Sequence, residues 1–363
     1  MLEHGGRLRQ AANRYGIPLP QWLDLSTGVN PNGWPVPAVP AECWQRLPED
    51  DDALMPAARA YYRNASILAV AGSQAAIQTL PQLRRQSRVG VLAPAYAEHA
   101  ANWRHAGHHL IELAAQAEAV EQALDNLEVL IVVNPNNPTG TLWEPDRLLS
   151  WHRHLHRRGG WLIVDEAFID TMPEYSLSAL PVRPGLVVLR SIGKFFGLAG
   201  IRCGFAIAEA RLLARLAEAL GPWPISYPSR YVAAAALADS GWQQKNTLEL
   251  KQQGRRLRQL LDAAGFTPAG GCDLFQWVAD ANAASLHDAL ARQGILTRLF
   301  DSPSSLRFGL PGGEQAWQMF AQVLADRKIK NYAALRGLEY TQANAEPINQ
   351  IAPGNGTGCK GID

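Results

Sequence analysis

The residues best equipped for chemistry lie in one stretch, Arg190-Ser191-Ile192-Gly193-Lys194-Phe195-Phe196-Gly197, continuing to Arg202. The stretch follows an apolar run at 186–189 and sets a single lysine among small and apolar neighbours. Burial disfavours an ammonium ion and lowers its pKa, which is what a lysine needs to act as a nucleophile and form an imine. Ser191 lies three residues before Lys194 and Arg202 eight after it. A hydroxyl and a guanidinium on either side of such a lysine can hold a phosphate beside the imine. Taken alone, Lys194 also reads as a surface lysine in a loop.

Three further strand ends supply compatible groups. At Ala71-Gly72-Ser73-Gln74-Ala75 a strand gives way to a helix, so Ser73 and Gln74 can cradle an anion with free amides and side chains, although Gly-Ser before a helix also serves as a plain cap. Asp165 ends the apolar run Leu162-Ile163-Val164, and a buried carboxylate needs a cationic partner. A protonated pyridine nitrogen is one such partner; an arginine, or the amides of a following helix, are others. In Asn134-Pro135-Asn136-Asn137-Pro138-Thr139-Gly140 two prolines flank Asn137, which either fixes its side chain for a ligand or makes a turn and no more. Pyridoxal 5′-phosphate offers an aldehyde to Lys194, a phosphate to Ser191 and Arg202, and to Asp165 a ring nitrogen whose protonation makes an electron sink.

These groups need elements to position them. Helix candidates at 53–63 and 73–85 alternate with apolar strand candidates at 67–70, 89–92, 129–133, 162–164 and 186–189. Strands without polar alternation are buried on both faces, so the pattern predicts an α/β fold with a mostly parallel sheet under helices. The motifs fall at carboxyl ends of these strands, where open α/β sheets bind ligands. Pro31, Pro35, Pro37 and Pro40 read as an extended connector, and the breaker at 221–228 precedes a long helical stretch at 229–264. Strand candidates at 274–278 and 306–310 with helix candidates at 284–292 and 315–325 predict a smaller α+β domain. The expected division is an N-terminal segment, 1–40, joining the small domain; a large cofactor-binding domain, 41–222; a small domain, 223–327; and a tail, 328–363, with no assigned role.

Taken in order, NPNNPTG, then VDEAF at 164–168, then Ser191-x-x-Lys194 with Arg202 beyond it, resemble the fold-type I pyridoxal-phosphate enzymes, the aspartate aminotransferase superfamily, over about residues 20–325. The resemblance implies a large domain with a mostly parallel seven-stranded sheet, a smaller α+β domain and a homodimer. It implies that Lys194 carries the cofactor and Asp165 pairs with its pyridine nitrogen, the two being the catalytic residues. It places Asn137 on the phenolic oxygen, Ser73, Gln74, Ser191 and Arg202 on the phosphate, Tyr96 of Ala93-Pro94-Ala95-Tyr96 over the ring, and Arg307 on the substrate carboxylate.

Finer likeness comes from Glu3-His4-Gly5-Gly6, from the run Leu23 to Pro31, and from Phe168 where histidinol-phosphate aminotransferases usually have tyrosine. These are similar to the threonine-phosphate decarboxylases of cobalamin biosynthesis. By that resemblance His4, Asn30 and Arg298 serve the substrate phosphate, and the reaction decarboxylates L-threonine O-3-phosphate, a small phosphorylated amino acid. Arg46-Leu47-Pro48 departs from the Arg-Tyr-Pro of the aminotransferases and removes a tyrosine that would reach the partner subunit's cofactor. Amino transfer on histidinol phosphate is the alternative activity. A non-catalytic cofactor-binding regulator is an alternative of another class, but it calls for a basic DNA-binding segment and none is visible.

Thirty-four basic against 33 acidic side chains leave a net charge of +1 over 363 residues, so no global field draws the chain to nucleic acid or an anionic membrane. With 47% hydrophobic and 18% charged residues the composition is that of a folded globular protein rather than a disordered one. No signal-like segment or membrane-spanning apolar run is present, and Cys43, Cys203, Cys272 and Cys359 are too scattered for a zinc site or disulfide framework. A cytoplasmic enzyme is the expectation. The clusters His105, His108, His109 and His152, His154, His156 are read as solvated surface groups, with no metal assigned.

Overall fold

The computed structural model describes residues 3–327 together with 329, 331 and 332. Its main sheet has seven strands in the order Ile67–Val70, Gly204–Ile207, Leu186–Ser191, Trp161–Asp165, Val129–Val133, Arg88–Ala93, His109–Ala114. The last five pair in parallel, and Gly204–Ile207 runs antiparallel to both of its neighbours. Side chains alternate across the sheet. Leu130, Leu162 and Val188 enter the core on one face, and Val129, Ile131, Ile163 and Leu189 enter a separate core on the other, as the period of two requires. Both faces are therefore covered, which is why these runs carry no polar alternation.

The reversed strand has a functional consequence. Its beginning, rather than its end, lies at the carboxyl edge of the parallel strands, so Arg202 arrives beside Ser191 and Val70: Gly204 is in register with both.

A second sheet of four antiparallel strands has the order Arg298–Asp301, Ser304–Gly309, Phe275–Ala279, Gly270–Cys272. The N-terminal segment joins this side. Leu23–Asp24 pairs in parallel with Ile295–Leu296, and the Gly309 amide donates to the Leu25 carbonyl at 2.7 Å. Helix Leu8–Tyr15 stops at Gly16, whose φ of 67° suits glycine, and it packs Ala11 and Ala12 near Ala291 and Leu296.

Several elements differ from expectation. The stretch at 229–264 is two helices, Tyr227–Ala238 and Ser240–Ala263, broken at Asp239, where ψ is 75° and the carboxylate caps the second helix by accepting from the Trp242 amide at 3.0 Å. Tyr227–Ala238 packs on Leu54–Tyr62, so the large-sheet side continues past 222. The helix expected at 73–85 is α-helical over Gly72–Thr79 and continues as a 3-10 turn, Leu80–Leu83, because Pro81 has no N–H to extend it. The edge strand His109–Ala114 and the reversed strand were not foreseen. Two of the clustered histidines are buried rather than solvated: His108 accepts from the Ser87 amide at 3.2 Å, and His152 Nε2 lies 3.0 Å from the Pro184 carbonyl. Residues 333–363, most of the expected tail, lie outside the described residues.

Beneath the sheet edge, Glu166 and Asp170 are buried with Arg190, which donates to them at 2.9 and 2.6 Å. Burial opposes the guanidinium charge, but Asp170 and Glu166 outweigh it and raise the Arg190 pKa above the ordinary arginine value. Removing one partner of such a group strands the others. Arg190→Met is expected to lower unfolding free energy by about 3–5 kcal/mol in urea titrations; a loss below about 1 kcal/mol would show that the two carboxylates do not depend on it.

Candidate active site

Asp165 is the last residue of its strand and 3% exposed. Its Oδ2 lies 2.9 Å from His99 Nε2, and its Oδ1 accepts from the Ala167 amide at 3.1 Å. Neither arginine nor a helix satisfies it: Arg190 serves Glu166 and Asp170 instead. Two oxygens offer about four acceptor positions, so the carboxylate can still accept from a group in the cavity that it lines.

The same cavity collects Ser73, Gln74, Tyr96, Asn137, Ser191, Lys194 and Arg202, with Phe168. Lys194 Nζ stands 5.5 Å from the Phe168 ring centroid. Its pKa is lowered to about 8, first by burial, then by the positive charge of Arg307; Asp165 opposes the shift and Arg202 adds to it. The loop that carries it is tied down on both sides. Its carbonyl accepts from the Asn30 amide at 3.0 Å, and the Phe196 carbonyl accepts from the Trp34 amide at 2.8 Å.

Helix Gly72–Thr79 starts without a side-chain cap, so first-turn amides face the cavity with no side chain of their own to bind. Gly72 has φ +68°, and a Cβ there would come 2.8 Å from Arg202 Nη2. Arg202 itself has φ 50°. Ser191 Oγ accepts from the Gly193 amide at 3.2 Å. The Tyr96 hydroxyl donates to Gln74 Oε1 at 3.2 Å; burial, aided by Glu98 and Asp165, pushes its pKa to about 12, so it remains a donor.

A second cavity opens from the first, sharing Tyr96, Asn137 and Lys194, and adds Arg307, Arg298 and His4. Arg307 donates to Asn137 Oδ1 and, at 2.8 Å, to the Ser26 carbonyl, while its buried Nε has no partner. Burial, then the charge of Arg298, lowers its pKa to about 10. Arg298 donates to the Glu3 carbonyl at 2.7 Å and lies over the Phe300 ring. His4 Nε2 is 2.7 Å from Glu98 Oε1.

Asn30 does not reach either cavity. Its amide donates to the Phe195 carbonyl and to Asn246 Oδ1, each at 3.0 Å, and its Oδ1 accepts from the Asn32 amide. It serves the Lys194 loop rather than a substrate. Sequence reasoning missed His99, Glu98 and Ser26. For His99 the available signal was its place three residues after Tyr96 at the start of a helix, which puts both on one face; for Ser26, whose backbone carbonyl is the working group, no side-chain motif exists.

The family model described as aminotransferase class I and II matches residues 50–322. A threonine-phosphate decarboxylase of Pseudomonas aeruginosa is 58% identical over 317 residues, covering 87% of this chain and 95% of that protein. Another, from Sinorhizobium sp., is 41% identical over 90% of this chain and 98% of its own length. The histidinol-phosphate aminotransferase from Sinorhizobium meliloti, solved in complex with pyridoxal-5′-phosphate, aligns with a TM-score of 0.79 over 92% of this chain and 96% of that one, at 19% identity, a likeness of fold.

The lysine chemistry is testable without a substrate. With a pKa of about 8, the Lys194 amine is mostly neutral above that pH and protonated below it. Reductive trapping of an aldehyde on Lys194 in the cofactor-free protein is expected to be half-maximal near pH 8 and to fall about tenfold per unit below about pH 7. A half-point in the ordinary lysine range would show that the amine is not desolvated. Folding lowers this pKa, so between the two values the unfolded chain holds the proton and this group's contribution to stability rises with pH.

Proposed function

The chain belongs to the class I and II aminotransferase family, and from that premise we propose that it uses pyridoxal 5′-phosphate to decarboxylate L-threonine O-3-phosphate, releasing carbon dioxide and (R)-1-aminopropan-2-yl phosphate, a precursor of the cobalamin nucleotide loop. The observation that carries the substrate reading is the second cavity: Arg307 and Arg298 face one space beside Lys194, and their repulsion helps lower the Arg307 pKa. A ligand with two anionic groups relieves that repulsion.

The residues fit the cofactor. The uncapped first turn of helix Gly72–Thr79, with Ser73, Gln74, Ser191 and Arg202 around it, suits a phosphate. Lys194 is the amine for its aldehyde carbon, Asp165 the acceptor for its ring nitrogen, Tyr96 the ring beside it, and Asn137 a donor to its phenolic oxygen. When bound, pyridoxal 5′-phosphate supplies an imine-forming carbon and a protonated ring that takes up electrons from Cα.

The chain's own groups do the rest. His99 and the Ala167 amide hold the Asp165 carboxylate at the sheet edge, where its negative charge favours a proton on the atom it faces. Arg307, braced by Asn137 and Ser26, offers its remaining donors to the substrate carboxylate and fixes the bond to Cα. His4 and Arg298 receive the phosphate. Lys194 Nζ, with a pKa of about 8, can carry a proton near neutrality and deliver it to Cα in place of the departed carbon dioxide.

Trp44, Leu47 and Trp223 are each more than half exposed, and helix Glu42–Gln45, which bears Trp44, lies on Tyr227–Ala238. This apolar face supports a homodimer, which sedimentation would record as twice the 39.6 kDa chain. Cys43, Cys203 and Cys272 are free thiols, which supports a cytoplasmic location. No helix among the described residues is long and apolar enough to cross a membrane.

Incubation of the holoenzyme with L-threonine O-3-phosphate is expected to release carbon dioxide. A kcat/KM at least about 100-fold above that for threonine is expected, the scale of one or more lost charge-assisted contacts. Arg298→Ala is expected to erase much of that gap. Asp165→Asn keeps the shape and removes the charge, and is expected to retain cofactor while turnover collapses. Brisk amino transfer from histidinol phosphate to 2-oxoglutarate with phosphothreonine left intact would replace this reading with the aminotransferase one.

A further inference from the structure

One carboxylate ties the cofactor wall to the N-terminal segment. Glu98, in the first turn of helix Ala97–His105, has His4 Nε2 at 2.7 Å from its Oε1, while its Oε2 accepts from Gln74 Nε2 at 2.8 Å and Asn102 Nδ2 at 3.1 Å. Gln74 in turn accepts from Tyr96. Burial works against the Glu98 charge, but the hydrogen bonds from His4, Gln74 and Asn102 outweigh it and hold its carboxyl below the usual range.

An ionised carboxylate only accepts. His4 Nε2 therefore bears the hydrogen of this contact, and Nδ1 is the ring nitrogen left for another group. The His4 side chain is 41% exposed and Glu98 17%, and the His4 ring stands 5.9 Å from that of Tyr96 on the wall of the second cavity. Alone, an anion at the rim of a cavity for anionic substrates is unfavourable. Paired with His4 it is met by a donor and fixes the orientation of the ring, as carboxylates do for functional histidines elsewhere.

We propose that Glu98 is a positioning residue for the substrate's phosphate: it fixes the His4 ring at the cavity mouth with Nδ1 free, and so sets the preference for phosphorylated over unphosphorylated amino acid. This rests on reading the cavity as a site for a phosphorylated amino acid.

The test uses the holoenzyme. In Glu98→Ala the KM for L-threonine O-3-phosphate is expected to rise about 10- to 100-fold, the scale of one charge-assisted hydrogen bond. Turnover at saturation is expected to fall by less than about threefold, and threonine to be affected far less than its phosphate ester. Glu98→Gln, which keeps shape and one acceptor, is expected to fall between. The double variant with His4→Ala is expected to be no worse than the poorer single variant, because the two act as one unit. Effects that multiply in the double variant, equal losses on threonine and phosphothreonine, or loss of cofactor absorbance in both Glu98 variants would overturn the proposal.

Inorganic phosphate, titrated calorimetrically into the holoenzyme, separates this proposal from the broader one. If phosphothreonine is not turned over, yet phosphate binds wild type at least about tenfold more tightly than Glu98→Ala and His4→Ala, the substrate assignment falls and the Glu98–His4 unit stands. If phosphothreonine is decarboxylated while neither phosphate binding nor KM responds to Glu98→Ala, the substrate assignment stands and this proposal falls.

Discussion

An amine that must give up its proton far more readily than a solvated lysine has to be kept out of water, and the chain around Lys194 is arranged to hold it there. The loop rests on groups far away in sequence. The amides of Asn30 and Trp34 bond its carbonyls, and Asn30 and Asn246 both donate to the Phe195 carbonyl. Gly33 and Gly197 meet so closely that a Cβ on Gly197 would lie 2.5 Å from Gly33 Cα. The connector after residue 30 and the helix Ser240–Ala263 thus brace the loop from behind, although neither carries a group that faces the cavity.

Charge around that amine is arranged in opposed layers. Lys194, Arg202, Arg307 and Arg298 would repel one another if nothing anionic shared their space, and the lowered pKa values of Lys194 and Arg307 record part of that tension. The anions present are few and each is held: Asp165 by His99 and an amide, Glu98 by His4, Gln74 and Asn102, Glu3 beside Arg298. In the proposed function, a cofactor phosphate at the uncapped helix and a substrate phosphate and carboxylate among the arginines would supply the missing negative charge. The reversed strand makes this possible, because it returns Arg202 to the edge where the parallel strands end.

Much of this was legible in the residues. Runs of Val, Ile and Leu specify doubly buried strands by their lack of alternation, and the polar residue that ends such a run, Asp165 or Ser191, must lie at the sheet edge because the interior cannot hold it. Spacing within a loop, as from Ser191 to Lys194 to Arg202, survives folding because a short chain has limited reach. The sequence by itself therefore determined five of the seven strands of the sheet, the edge at which the polar groups gather and the types of group that meet there.

Tertiary structure decided the partners. Nothing local says that of nine histidines it is His99 that meets Asp165, 66 residues away, or that Glu98 meets His4 across 94. Arg190, next to Ser191 in the same strand and therefore on its opposite face, turns away from the cavity to Glu166 and Asp170, and Asn30 turns to the Lys194 loop. The unforeseen strand Gly204–Ile207 is four residues whose direction is set by its neighbours rather than by its own pattern. Each of these depends on packing between segments remote in the chain, and side-chain hydrogen bonds are chosen only once that packing has fixed which groups lie within about 3 Å of each other.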